Sequence, residues 1–170
     1  MSPSTSESTG HWKDNPYGAA LGGRDALQAL IDTPGRLRAV AERFTSEQFA
    51  RSYAPGKWSA ATIILHLAQT ELAFAVRLRM ALTTDHYVVQ PFDQDGWMAR
   101  EPAVSGPEAM HSYLAMRHFN LPLYRSLTPA DRVRVFQHPE RGPMQAGWIL
   151  EILAGHELHH LAHLETIAAL

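Results

Sequence analysis

The run His156-Glu157-Leu158-His159-His160-Leu161-Ala162-His163 holds four of the chain's ten histidines in eight residues. It lies within Gly147 to Leu170, whose apolar spacing predicts one long closing helix. At about 100° per residue, His156 and His160 fall about 40° apart on the helix surface, one turn above each other. Ile149, Ile152 and Ile167 lie within about 40° of the same line. These imidazoles therefore point where the apolar side chains point, into the body of the protein. A buried polar group without a partner costs roughly 1–3 kcal/mol. Two imidazoles at i and i+4 can share one metal ion, and a metal is one such partner.

A chain of 170 residues, 45% hydrophobic and 19% charged, is the size and make-up of a single soluble globular domain. A net charge of −2 offers no electrostatic reason to expect nucleic acid or an anionic membrane. With no cysteine, thiolate zinc sites, disulfides and a cysteine nucleophile are excluded. No early apolar run resembles a signal peptide and none is expected to reach the roughly 18–20 residues of a membrane span, so a cytoplasmic protein is expected.

Residues 1–18 are rich in Ser, Thr, Pro and Gly and read as a flexible tail, with residues 19–170 as one domain. The first helix is expected from about Arg24 to Phe44, kinked or broken at Thr33-Pro34-Gly35. A short turn at Thr45-Ser46-Glu47-Gln48 precedes the Pro55-Gly56 loop. Ser59 then caps a second helix running from Ala60 to about Leu82. That helix carries His66 on the face of Ile63, Thr70, Ala73 and Phe74, while Glu71 and Arg79 read as solvated. The long connection from Thr83 to Ser105 mixes aromatic and polar residues, Trp97 among them, and suits the wall of a pocket. Ser105-Gly106-Pro107-Glu108 is a capping box for a third helix ending near Leu127. Val133 to His138 reads as extended, Pro139 to Pro143 as a turn, and the last helix is entered near Met144. Four long amphipathic helices without a multi-strand signal predict an all-α bundle.

His66, inward on a different helix, is the natural third partner for His156 and His160. Three imidazoles leave a position open for water or substrate, the pattern of a catalytic rather than a structural metal site. Imidazole suits borderline metals, Zn or Ni, and not Ca²⁺ or Mg²⁺. The spacing alone leaves alternatives: His159 and His163 are also an i, i+4 pair, and a metal-free histidine row bonded to backbone carbonyls satisfies the same pattern. His156-Glu157-x-x-His160 also matches a metalloprotease helix literally, but the residues that should follow are missing. Glu157 is a candidate acid or base. Arg77, about 20° off the His66 line and three turns on, is a candidate for an anionic substrate, with Trp97 of the long connection as a further substrate contact.

Pro55-Gly56-Lys57-Trp58-Ser59 with Ile64-Leu65-His66-Leu67-Ala68-Gln69-Thr70-Glu71 resembles the second-helix signature of the DinB-like superfamily. His138-Pro139-Glu140-Arg141-Gly142 and Ala154-Gly155-His156-Glu157-Leu158-His159-His160-Leu161 resemble its closing motif, so the resemblance spans about Arg24 to the C-terminus. It implies an up-down-down-up four-helix bundle with a long crossover connection. It implies a metal triad at His66, His156 and His160, in preference to His159 and His163. Glu157 stands where many relatives have Asp. Implied activities are transfer reactions dependent on a low-molecular-weight thiol, or metal-dependent hydrolysis of a small-molecule substrate. The same resemblance implies a homodimer. A non-catalytic metal-binding bundle, acting as a ligand-binding or interaction module, is the alternative.

Overall fold

In the computed structural model, which describes residues 15–170, the elements run α1 (Gly18–Leu21), α2 (Ala26–Ala41), α3 (Ser46–Ala50), α4 (Ala60–Thr83), α5 (Gln94–Arg100), α6 (Gly106–Ser126), α7 (Pro129–Arg132), β1 (Val135–His138), β2 (Gly142–Gln145) and α8 (Gly147–Ala168). Short polar side chains set most helix starts by accepting an otherwise unpaired N–H. Ser59 accepts from Thr62, and Thr45, Ser105 and Thr128 each close a full capping box.

The four long helices form the bundle, α4 packing on α6 and α8, and α2 on α8 and α6. Two apolar clusters fill its ends. One joins Leu30 of α2, Leu78 of α4, Tyr124 of α6 and Leu150 of α8; the other joins Leu37, Ile64, Tyr113 and Leu164. The early part of α2 thus meets the late part of α4 and α6 and the early part of α8. That is up-down-down-up, with α4 and α6 parallel and joined by the crossover of residues 84–105. By length and hydropathy α4 passes for a membrane span, but 67% of its apolar window is buried among the other helices, as in a core helix.

The break expected at Thr33-Pro34-Gly35 does not occur: α2 is continuous through Pro34. Proline cannot donate to the carbonyl four residues back, which here is Leu30. That carbonyl instead accepts from Nη1 of Arg117 at 2.9 Å, so a side chain from α6 replaces the missing backbone donor.

Three further expectations are corrected. The last helix starts at Gly147, not near Met144, because residues 142–145 pair with β1 in an antiparallel hairpin that buries Met144 opposite Phe136. The crossover is not all loop: it contains α5 and a bridge of Val88 to Gln137. Residues 15–18, assigned to the tail, pack on α8. Asn15 donates to the Glu151 carbonyl at 3.1 Å, and the Tyr17 ring lies 4.9 Å from that of His156. Gly155 permits this approach, since a Cβ there would stand 2.7 Å from the Tyr17 carbonyl oxygen. His11 and Trp12 of the tail lie outside the described residues.

Candidate metal centre

Between the two apolar clusters the bundle is polar, and α4 and α8 bring three histidines together there. The Nε2 atoms of His66 and His156 lie 2.9 Å apart, and those of His160 and His156 3.1 Å apart. All three rings are buried, and their ligand atoms lie within 4.8 Å of one another. A neutral ring nitrogen carries either a proton or a lone pair, so the shared Nε2 of His156 cannot make two good hydrogen bonds. The Nδ1 atoms of the same three rings have no partner among the described residues. Imidazoles sharing one ion at about 2.0–2.1 Å place their nitrogens roughly 3 Å apart. The donor set therefore fits a divalent metal: three Nε2 lone pairs converge on one point, with the ring protons left on Nδ1.

Burial keeps these rings neutral and so available as ligands. It pulls His66 down to about 4 and His156 to about 3, and lowers His160 further, with neighbouring imidazoles adding to the effect for His156 and His160. Trp58 and Phe92 bracket His66, with ring centres at 4.8 and 6.3 Å. The Thr70 hydroxyl donates to the His66 carbonyl at 2.8 Å and stands 3.5 Å from its Nε2. The other pair is not part of the triad. His163 stacks on Tyr53 at 3.9 Å, His159 lies beside Tyr17, and both are half-buried.

His66 and His156 stand at one end of a groove of about 400 Å³ between α4 and α8, while His160 lines a separate cleft with Trp58 and Asp95. From α4, His66, Thr70, Phe74 and Arg77 line successive turns; from α8, Trp148, Ile152 and His156 do the same. Tyr17, Phe92, His138 and Arg141 close the sides. Arg77, chosen from its position on the His66 face, does line the groove. Trp97 does not: it packs edge-on against Phe92 at 4.9 Å, and Phe92 makes the wall. Tyr17 went unread because it sits in a segment taken for tail. His138 and Arg141 were visible only as part of the closing motif.

Glu157 is placed away from the triad. Being about 100° round the helix from His156, it faces α6, where Arg117 donates to it from both terminal nitrogens, Nη1 at 3.1 Å. Glu71, expected in solvent, is fully buried and accepts from Arg117 at 2.6 Å, Tyr124 at 2.8 Å and Asn120 at 2.9 Å. Burial pushes the Glu157 carboxyl up to about 7 against the pull of Arg117. Burial alone would lower the Arg117 guanidinium, but Glu157, Tyr113 and Glu71 around it hold it well above its ordinary value. Glu157 thus belongs to a closed ion-pair network and is not positioned as an acid or base beside the triad.

Comparison with known proteins agrees with this architecture. A protein of Oceanobacillus iheyensis named "Putative metal-dependent hydrolase" is 32% identical over 148 residues, 83% of each chain. A Bacillus mycoides protein of the same description is 28% identical over 145 residues, covering 83% of this chain and 82% of its own. The structure of YfiT from Bacillus subtilis, described as "a probable metal-dependent hydrolase with an unusual four-helix bundle topology", superposes with a TM-score of 0.77 at 22% identity. It covers 85% of this chain and 84% of its own. The sequence profile of the DinB superfamily matches residues 29–164, and with that span covering the triad, all of α4 and α6 and most of α2 and α8, the chain belongs to the DinB superfamily.

Proposed function

We propose that the protein is a metal-dependent enzyme acting on a small molecule bound in the groove between α4 and α8, with His66, His156 and His160 holding a divalent ion, Zn or Ni. The observation that carries this reading is the convergence of three buried Nε2 atoms, with His66 and His156 at the head of an open groove. A divalent ion held there supplies a Lewis acid and lowers the pKa of a nucleophile toward neutrality. The chain itself supplies binding and orientation. Thr70 faces the same space and, with its proton given to the His66 carbonyl, leaves its oxygen to accept from a bound group. Phe92, Phe74 and Ile152 exclude water along the groove.

Hydrolysis is the first reading, supported by the descriptions of the relatives. Transfer to a low-molecular-weight thiol is the second. It is favoured by one feature: Glu157 is committed to Arg117 and Asp95, the carboxylate that acts on His66, is exposed, so neither is held in place to take a proton from water, whereas a thiol loses its proton far more readily. With no cysteine in the chain, the thiol would be a cosubstrate.

Elemental analysis of the purified protein beside His66→Ala and His160→Ala tests the metal. The expected result is about one Zn or Ni per wild-type chain, lost in both variants while each stays folded. Metal equally absent from all three after incubation with Zn²⁺ and Ni²⁺ would overturn the reading. Activity screens with and without added thiol then separate the two reactions.

A further inference from the structure

Arg77 is buried, 9% exposed, and lines the groove. Buried charges are ordinarily met by an opposite charge, because the cost of removing an ion from water is several kcal/mol. Among the described residues no carboxylate forms an ion pair with Arg77. Its guanidinium donates once, to the Gln90 carbonyl at 2.6 Å, and lies over the Phe74 ring at 4.7 Å. Most of its five N–H donors therefore have no acceptor among the described residues. The other charges on the groove do not correct this. Asp93 and Glu140 line it but are exposed, as is a second guanidinium, Arg141, which lies over the Trp148 ring at 5.9 Å. His138 stands near both arginines, and its own pKa is lowered, by burial first and then by Arg77.

We infer that the groove binds a substrate with an acid group, carboxylate or phosphate, seated on Arg77 with Arg141 beside it, while its reacting end lies at the histidine triad. Arg77 is eleven residues beyond His66 on α4, and Trp148 eight residues before His156 on α8. At 1.5 Å per residue the two ends stand about 12–16 Å apart along the helices. The substrate is accordingly elongated, with a mostly apolar middle against Phe74, Phe92 and Ile152. The planar guanidinium fork matches a carboxylate or phosphate in two-point contact, which Lys would not reproduce. This inference rests on the metal reading for the identity of the reacting end only; the acid end stands on Arg77.

Three probes test it: 8-mercaptooctanoate, 8-mercaptooctylphosphonate and 8-mercaptooctan-1-ol, titrated by calorimetry into the Co²⁺-loaded protein while the sulfur-to-cobalt absorption is recorded. The expected result is binding of one or both acids at least about tenfold tighter than the alcohol; which acid leads distinguishes carboxylate from phosphate. In Arg77→Met the preference should fall to less than about threefold, and Arg77→Lys should retain part of it. Equal affinity of all three probes for the wild type, or no binding of either acid, overturns the inference whatever the variants do. The absorption band reports separately on the metal: acid-selective binding without a band sinks the reading of the triad and leaves the Arg77 site standing.

Discussion

Two buried arginines on neighbouring helices are treated oppositely by this fold. Arg117 on α6 is 3% exposed and enclosed by its own partners: Glu71, Glu157 and the Leu30 carbonyl. Arg77 on α4 has one carbonyl and a ring face, with no carboxylate among the described residues. The same contrast runs between the polar clusters. The Arg117 network fastens α2, α4, α6 and α8 at the middle of the bundle, and most of its polar atoms are satisfied. The histidine triad and Arg77 leave donors and lone pairs facing a groove. A satisfied network fixes a structure, whereas unmet groups beside an open space mark where something else binds.

The largest test of the comparison is Arg117→Leu. It leaves two carboxylates and one carbonyl buried without their cation, and should cost about 3–5 kcal/mol in urea unfolding. A cost below about 1 kcal/mol would mean that the network does not fasten the bundle. On the open side, adding Zn²⁺ at a hundredfold excess over its Kd should stabilise the metal-free wild type by about 2.7 kcal/mol. The same addition to His66→Ala should give little, and melting followed by circular dichroism reads both.

Pro34 sharpens the link between backbone and network. Pro34→Ala restores a donor to Leu30, but that carbonyl already accepts from Arg117. The gain in the wild type should therefore be smaller than in the Arg117→Leu background, by about 1 kcal/mol in a double-mutant cycle. Additive effects would show that the Arg117 contact does not substitute for the missing helix bond.

The smallest expected effect concerns an exposed charge. The Ser105 hydroxyl and backbone hold the Glu108 carboxyl below its ordinary value of 4.5. A group depressed on folding contributes stability above its unfolded pKa and loses it as pH falls through the folded one. The destabilisation caused by Ser105→Ala should therefore shrink on acidification, as seen in parallel urea titrations at neutral and low pH. A gap that stays constant would assign the whole effect to the Ser105 cap on the Glu108 N–H.

Much of this molecule was legible beforehand for local reasons. Helix starts depend on a Ser or Thr within three residues of the N–H it accepts, so the caps at Ser59 and Ser105 were read in advance, and Thr45 and Thr128 follow the same local pattern. The inward direction of His66, His156 and His160 follows from helical period, because each shares a face with aliphatic residues. Met144 was misread because four residues of strand carry too little period to separate from a helix entry.

Glu71 shows what one chain direction cannot reveal. A charged residue on α4 reads as solvated unless its counter-charge is known, and Arg117 stands forty-six positions further on. The sequence by itself determined the helices, their caps and the direction of the histidines, since these depend on neighbours within a turn. Only the tertiary structure decided that Pro34 is bridged, that Glu157 turns to Arg117, that Tyr17 closes over His156 and that Arg77 has no counter-ion among the described residues. Each of those depends on groups from different helices meeting in a low-dielectric interior, where the presence or absence of one opposite charge settles whether a site is closed or open.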